Sequence, residues 1–258
     1  MKYLLELLSL LLAVPLFAAG ALRIADASRA GVPALNALAL RLALRNSVAV
    51  SIDKVTPNEA AARLAAGRAD LIVLEHGNLP AERPRVCRLF AAEVLGLYVN
   101  AANGMPSVEL RDLKLLLTST RPNWRPFYPR KETDIHRYGL KERAAGYRLA
   151  ESLLGAETLA QDIFAVGSTE QVMLLAGNDP EALGFGVLSS GMPAGVKVLE
   201  VNGVPPTRGN IASGKYLMCW RYYVLGGASL SQAAKIFLEE MKTASFAKEL
   251  ESSGFFPL

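Results

Sequence analysis

The chain has 258 residues, 51% of them hydrophobic, and a formal net charge of +4 at pH 7. This length suits one large or two modest domains, and so apolar a composition excludes an intrinsically disordered chain. The small positive excess does not by itself indicate a nucleic-acid-binding protein. It is concentrated in residues 121–148, where eight Lys or Arg stand against three Asp or Glu, and this segment lacks the alternating aromatic residues on which bases stack.

The first 21 residues have the composition of a signal peptide. Lys2 provides a positive start, residues 7–19 form an apolar core, and Ala19-Gly20-Ala21 are small residues of the kind found at cleavage sites. The apolar run is shorter than the ~20 residues that a membrane span needs. No cysteine near the cleavage position offers a site for a lipid anchor. We therefore expect a soluble, exported protein, cleaved near Ala21 and located in the periplasm.

Strand and helix patterns alternate through the first hundred residues. Leucine recurs at helical spacing between Ala34 and Arg45. Thr56, Pro57 and Glu59 form a helix start with a capping threonine, a proline in the first turn and a capping-box glutamate. Such alternation predicts an α/β sheet with helices packed on its faces. The strands expected here are residues 22–25, 48–52, 70–74 and 95–99.

The rest of the chain continues this pattern around one irregular segment. Residues 118–138 contain several prolines and little periodicity, which predicts a long loop of functional or mobile character. Helices are expected from Pro106, over residues 141–154 and from Ser168, whose spacing to Gln171 matches a capping box. Strands are expected over residues 183–188, 196–201 and 222–225, and two further helices follow. Because there is no internal repeat or low-complexity linker, a single two-lobed unit is favoured over two domains in series.

Cys87 and Cys219 are the only cysteines in the sequence. In an oxidising compartment they could pair, but two residues do not make a disulfide framework. Both fall in apolar, strand-like runs, where a free cysteine often serves as a small buried hydrophobe. The sequence leaves both possibilities open.

Several short motifs follow one another in a fixed order in the second half of the chain. Together they resemble the phosphate-type solute-binding proteins of bacterial ABC transporters, strongly over residues 94–258 and more weakly over residues 22–93. The motifs are Ser107-Val108-Glu109-Leu110-Arg111 followed by Pro122-Asn123-Trp124; the helix start Ser168-Thr169-Glu170-Gln171 followed by Asn178-Asp179-Pro180 and Leu183-Gly184-Phe185; and the units Val201-Asn202-Gly203-Val204-Pro205-Pro206-Thr207, Ser213-Gly214-Lys215-Tyr216, Tyr222-Tyr223-Val224-Leu225 and Gly254-Phe255-Phe256-Pro257-Leu258.

The resemblance implies a type II periplasmic-binding-protein fold, in which two lobes, each a mixed β-sheet flanked by helices, are joined by two hinge strands. Lobe 1 is expected to comprise residues 22–95 and 223–258, and lobe 2 residues 96–222. The implied function is capture of a small oxyanion, phosphate first, for a membrane permease. The resemblance further implies a monomer that needs no cofactor and binds no nucleic acid.

Candidate anion ligands in lobe 1 are carried over from the family's loops. Ser28, Arg29 and Gly31 lie where the family has its first anion loop, and Thr56 matches the second. Glu75 falls where phosphate binders carry an aspartate after the third strand, with His76 as the alternative polar group. Hydroxyls, helix N-termini and guanidinium groups are the donors that a dehydrated oxyanion requires. The structural alternatives are that Ser28 and Thr56 only cap helices and that Glu75 is a surface acid.

The central loop departs from the family pattern. Phosphate binders carry an arginine followed by a Gly-Ser-Gly-Thr-Arg type of run that opens a helix around the anion. Here Arg130, Thr133 and Arg137 are the candidate ligands, but the small Ser-Gly-Thr residues are absent and bulky Ile135 and His136 stand instead. The ligand is then another anion, or it binds weakly, or the nearby arginines at positions 121 and 125 substitute.

Other functional classes have little support in the sequence. The chain lacks a nucleophile elbow, a P-loop and a metal-binding pair of histidines, since His76 and His136 are isolated. We therefore expect neither an enzyme nor a metal site. The alternative to transport is a binding or sensing protein on the same fold whose ligand pocket is degraded or altered.

Overall fold

The computed structural model describes residues 20–29, 31–46, 48–82, 84–129, 131–142, 144–155, 159–188 and 191–258. Most of the predicted signal peptide therefore lies outside the described residues. In this part of the chain the strands are β1 (Ala21–Asp26), β2 (Ala49–Lys54), β3 (Leu71–Glu75), β4 (Val86–Asn100), β5 (Ser107–Val108), β6 (His136–Leu140), β7 (Phe164–Val166), β8 (Ala182–Val187), β9 (Val196–Val198), β10 (Glu200–Val201), β11 (Cys219–Gly226) and β12 (Phe256–Pro257).

The helices alternate with these strands. They are α1 (Pro33–Asn46), α2 (Pro57–Ala65), α3 (Leu110–Thr118), α4 (Ala145–Leu154), α5 (Thr169–Asn178), α6 (Arg208–Ser213), α7 (Gln232–Glu240) and α8 (Ala244–Ser252), with a 3₁₀ turn at His76–Asn78. Two predicted helix starts are confirmed, because the hydroxyls of Thr56 and Ser168 accept hydrogen bonds from the amides of Glu59 and Gln171. None of the described helices is both long and apolar enough to cross a membrane.

Ten of the described strands form one large mixed sheet in the order β2-β1-β3-β11-β4-β8-β6-β7, and β9 and β12 also pair with β4. β5 and β10 pair with each other in a separate two-stranded sheet. Strands β1, β2 and β3 pair in parallel, as do β6, β7 and β8. β4 runs antiparallel to β11 and to β8. The mixed sheet with helices on its faces confirms the predicted fold class.

β4 is the strand that joins the two halves of the sheet. Its first part pairs with β11 as far as Val94 opposite Cys219, and its second part pairs with β8 from Leu95 opposite Val187. The amide of Leu95 donates to the carbonyl oxygen of Met218 at 2.9 Å, so the second crossing of the chain lies beside the first. We call lobe 1 the half with β1, β2, β3, β11, β12 and residues 86–94, and lobe 2 the half with residues 95–100, β6, β7, β8 and β9.

Each lobe has apolar clusters on its part of the sheet. In lobe 1, side chains of α1, α7 and α8 pack on one face, among them Leu38, Phe237 and Phe246, and α2 covers the other face. In lobe 2, Leu113 and Phe185 belong to the largest cluster. Each fully buried side chain of this size stabilises the fold by about 1.5–3 kcal/mol, so both lobes have substantial cores.

The predicted long loop is confirmed, since the described residues between Thr118 and His136 form no helix or strand, but this segment packs against lobe 2. Trp124 is fully buried, its backbone amide donates to Thr133, and its indole Nε1 donates to the carbonyl oxygen of Glu181 at 3.2 Å. Asn123 and Asp134 form a β-bridge across the segment. A buried aromatic residue in an irregular segment leaves no helical or strand periodicity in the sequence, so the packing of this segment could not be predicted from the pattern.

Cys87 and Cys219 are free thiols. Cys87 lies opposite Leu225 and Cys219 opposite Val94, so the two cysteines occupy opposite ends of the β4–β11 pairing. Burial raises the pKa of the Cys219 thiol to about 11. Of the two possibilities left open by the sequence, the structure selects small, partly buried thiols.

Candidate ligand site between the two lobes

The loop between β1 and α1 is held by a carboxylate at the end of β1. Asp26 accepts hydrogen bonds from the backbone amide of Ser28 at 2.9 Å and from its hydroxyl at 2.5 Å. Lys54 donates to the carbonyl oxygen of Ser28 and lies 3.4 Å from the Asp26 carboxylate. Asp26 and Ser28 are both buried. Both hydrogen-bond donors of Ser28 are therefore directed to the chain's own carboxylate.

Gly31 turns this loop into α1 with a φ of +72°. Side chains other than glycine are strained in that region. A Cβ atom at this position would lie 3.8 Å from the carboxylate of Asp26, an ordinary contact, so the backbone angle and not the available space requires glycine.

Glu75 lies at the end of β3 and accepts a hydrogen bond from the backbone amide of Arg29. Its carboxylate is also 3.9 Å from Nε of Arg29, and only 7% of the residue is exposed. The expectation of a surface acid is therefore not met. The structure thus brings Ser28, Arg29, Gly31 and Glu75 close together, and their role as ligands stays a prediction.

The side chain of Arg29 connects the two lobes. Its Nη1 donates to the hydroxyl of Ser152 on α4 at 2.8 Å. The guanidinium carbon lies 4.4 Å from the centroid of the Trp220 ring, a cation–π distance. Arg29 therefore lies at the junction of lobe 1 with α4 of lobe 2, which we call the cleft.

A second buried acid in this cleft was missed by the sequence reasoning. Glu93 on β4 is 4% exposed and accepts a hydrogen bond from the hydroxyl of Tyr222 on β11. Burial raises the pKa of Glu93, while the Tyr222 hydrogen bond and the charge of Arg148 oppose the rise. Burial, together with Glu93, also raises the pKa of Tyr222. The sequence feature that could have revealed this buried acid is that Glu93 is the one charged residue between positions 89 and 100.

The lobe 2 side of the cleft is formed by α4. The helix begins at Ala145, and the preceding Ala144 provides no side-chain cap for the first-turn amides, which keep the partial positive charge of a helix N-terminus. At Gly146 a Cβ atom would lie 2.8 Å from Leu140 and 3.1 Å from the amide of Val187, so glycine lets the helix pack closely on the sheet. Arg148 is exposed on the same helix.

Thr56 lies beside the first loop. It caps α2 by accepting from the amide of Glu59 at 3.3 Å. The preceding amide of Val55 donates to the carbonyl oxygen of Asp26 at 3.0 Å, which ties the start of α2 to the end of β1. The capping alternative is therefore realised, and the exposed hydroxyl still has its own proton to donate.

Thr133 and Arg137 are engaged within lobe 2. The hydroxyl of Thr133 donates to Glu181. Arg137 is 3% exposed, donates to the carbonyl oxygens of Leu116 at 3.0 Å and Ser119 at 2.8 Å, and pairs with Asp162. Burial lowers the pKa of Arg137, and Asp162 opposes this effect.

The segment that aligns with the family's anion-wrapping run, described over residues 131–137, therefore opens no helix. It leads into β6, and the next helix, α4, begins only at Ala145. The structure does not bring Thr133 or Arg137 to Arg29 and Glu75, because they precede or begin β6 whereas α4 follows its end. Arg130 lies outside the described residues.

The two histidines are in different surroundings. His76 follows Glu75, and its ring lies 6.3 Å from that of Tyr223. His136 contacts the Asp179 carboxylate at 2.8 Å. In the described part of the chain, no group of three or more His, Cys, Asp or Glu side chains is placed to hold a metal ion.

The two lobes, the paired crossings at Leu95 and Met218, and the cleft between the strand ends and α4 define the class of fold: a two-lobed periplasmic-binding-protein fold of type II. The structure is similar to PstS from Borrelia burgdorferi, with a TM-score of 0.69, 19% identity and coverage of 92% of this chain and 98% of that one. It is also similar to an ABC-type phosphate transport receptor from Vibrio cholerae, with a TM-score of 0.60, 19% identity and coverage of 91% and 99%.

A third similar structure is a possible phosphate binding protein from Planctomyces limnophilus, with a TM-score of 0.69, 13% identity and coverage of 93% of both chains. No protein-family model and no curated protein sequence matches the chain. At such low identities the likeness establishes the fold and leaves the ligand to be argued from the cleft.

Proposed function

We propose that the protein is an exported solute-binding protein that captures a small oxyanion between its two lobes, with phosphate as the first candidate. In this proposal it delivers the anion to the membrane permease of an ABC-type transporter. The observation that carries the proposal is the reach of Arg29 from the first loop of lobe 1 to Ser152 on α4 of lobe 2. A cation that already spans the cleft is placed to contact an anion from one lobe while the other lobe closes.

The physical basis is a difference in affinity between open and closed arrangements. A dehydrated oxyanion requires several donors at once, and only the closed cleft assembles donors from both lobes. The ligand then shifts the population toward closure by that difference. No bond is made or broken, so the proposed protein is not an enzyme.

Lobe 1 would contribute Ser28, Arg29, Gly31 and Thr56 to the site, and the Glu75 carboxylate lies beside them. Lobe 2 would contribute Arg148 and the first-turn amides of α4. This choice replaces Thr133 and Arg137, whose donors are used inside lobe 2. Arg130 stays a prediction, to be tested together with these residues.

The proposal includes the cellular location and the partners. Cleavage near Ala21 would release the mature chain into the periplasm as a monomer, with a small inorganic anion as ligand. The similar structures from Borrelia and Vibrio are a PstS protein and a phosphate transport receptor, which supports an anion and a transporter as the first candidates.

Calorimetric titration of residues 22–258 tests the proposal. Phosphate, sulfate, phosphonate, molybdate and carboxylates are titrated at one fixed, low salt concentration. We expect one anion to bind and Arg148→Ala to lower the affinity for that anion by about tenfold or more. The affinities of Arg29→Ala and Arg130→Ala are measured in the same titrations. Arg45→Ala is the matched control, because this exposed arginine lies at the far end of α1, about 18 Å along the helix axis.

A second candidate is a binding or sensing protein on the same fold with an altered pocket. The contacts of Asp26 with Ser28 and of Glu75 with Arg29 favour it, because these carboxylates use loop donors that an anion would need. If no anion gives heat or raises the melting temperature, this candidate replaces the transport proposal.

A further inference from the structure

The first loop of the cleft is already filled with negative charge from the protein itself. The amide and hydroxyl of Ser28 donate to Asp26, and the amide of Arg29 donates to Glu75. Asp26 is a neighbour in sequence, two residues from Ser28. Glu75 comes from another strand, 46 residues away from Arg29, so its contact is a tertiary one that can be broken without unfolding the loop.

We propose that Glu75 is an internal competitor for the ligand: its carboxylate occupies the donors of Arg29, and an anion binds this loop only by displacing it. The inference rests on the proposed function and adds a residue that limits the affinity of the site. Glu75 would thus act against binding, in contrast to the role of anion ligand that the family resemblance implies.

The geometry makes displacement necessary and also feasible. Glu75 lies beneath the loop with its side chain 9% exposed, whereas the side chain of Arg29 is 59% exposed. An anion on the Arg29 amide would therefore approach from the open side and face a carboxylate at close range. Two like charges at such a distance repel strongly where water is excluded. A tethered carboxylate also competes at a high effective concentration.

Arg29 has partners that would keep it in the cleft after displacement. Ser152 accepts from its Nη1 at 2.8 Å, and the Trp220 ring lies 4.4 Å from its guanidinium carbon. Neither contact depends on Glu75. The guanidinium would consequently stay available to an anion when the carboxylate is withdrawn.

The experiment compares Glu75→Ala and Glu75→Gln with the wild-type protein, using inorganic phosphate and sulfate in separate calorimetric titrations at pH 7. Alanine removes the competitor, while glutamine retains a neutral and weaker acceptor of similar size. We expect Glu75→Ala to bind both anions about tenfold more tightly or better, with Glu75→Gln between it and the wild type. If Glu75→Ala fails to fold, Glu75→Gln alone must still bind both anions more tightly.

Glu93→Gln is the matched control. It removes a carboxylate from the same cleft and leaves the contact between Glu75 and Arg29 in place. We expect little change in affinity. A gain equal to that of the Glu75 variants would mean that net charge alone limits binding, and would overturn the proposal.

Two other results overturn it. If the Glu75 variants bind sulfate better but phosphate worse, Glu75 accepts the ligand's proton and does not compete. If the wild type binds an anion and the variants bind it no better, the competitor is excluded while the proposed function stands. If neither the wild type nor any variant binds an anion, both the competitor role of Glu75 and the proposed function are excluded.

A measurement without ligand tests the contact itself. Hydrogen exchange at the Arg29 amide should be slow in the wild type and faster in Glu75→Ala. Rapid exchange in the wild type would exclude the competitor whatever the titrations give.

Discussion

Arg29 and Ser152 stand 123 positions apart, in different lobes, and a hydrogen bond of 2.8 Å joins them. The bond links the loop after β1 to α4 and so ties the two lobes to each other. The Trp220 ring lies 4.4 Å from the guanidinium carbon of the same side chain. The equilibrium between open and closed forms should therefore depend on this pair.

Replacement of Ser152 by alanine should increase the open population of the ligand-free protein. An exposed hydrogen bond of this type stabilises by about 1 kcal/mol, equivalent to a shift of about fivefold. The distance between spin labels placed on the two lobes measures the change. Ser245→Ala is the control, because that hydroxyl accepts from Arg41 at 3.1 Å entirely within lobe 1. An unchanged distance distribution in Ser152→Ala would show that the pair does not hold the lobes.

Gly31→Ala should destabilise the fold through the backbone alone. At a φ of +72° an alanine costs about 1–2 kcal/mol. Urea denaturation gives the free energy of unfolding. Gly77→Ala serves as comparison, since a Cβ atom there would meet nothing within 4 Å and the backbone angle is not positive. Equal costs at the two positions would contradict this explanation of the loop.

Features set by neighbouring residues were predictable from the sequence. Thr56 and Ser168 cap their helices because the hydroxyl and the receiving amide are three residues apart. Glu75 could be placed at the edge of the sheet because it lies at the end of an apolar strand pattern. These are local relationships, and one chain is enough to recognise them.

Features set by strand register and by lobe contacts were not predictable. Glu93 contacts Tyr222 only because of the register between β4 and β11. This register places Trp220 opposite Glu93, and Tyr222 follows Trp220 by two residues on β11. The lobe 2 ligands were sought at Arg130, Thr133 and Arg137, because these residues align with the arginine-containing run of the family. The helix that lines the cleft starts with small apolar residues at Ala144 and Ala145, which carry no charge to reveal a site.

Arg137→Ala should lower stability and leave anion affinity unchanged. Its guanidinium is buried against two carbonyl oxygens and pairs with the half-exposed Asp162. Removing it leaves the two carbonyl oxygens without this donor, at a cost of about 1–3 kcal/mol. Urea denaturation and calorimetric titration measure the two effects. Arg125→Ala, which removes an exposed pair with Glu132, should cost about 0–1 kcal/mol. A folded Arg137→Ala protein that loses anion binding would restore the role expected from the sequence.

Glu93 should make the protein less stable as the pH rises through the mildly acidic range. Burial raises its pKa in the folded state above the unfolded value, so over the interval between these two values the folded protein binds more protons than the unfolded one. The free energy of unfolding then falls with increasing pH across that interval. Below the interval the stabilising contribution of protonated Glu93 is present in full.

Glu93→Gln should remove this dependence, because glutamine does not ionise and its oxygen can still accept from the Tyr222 hydroxyl. The stability of the variant relative to the wild type should therefore grow as the pH is raised from 4 to 7 in urea denaturation series. Glu251→Gln, at an exposed position on α8, is the control for the loss of one acid. If the difference between Glu93→Gln and wild type is the same at every pH, Glu93 titrates alike in both states and its burial does not oppose ionisation.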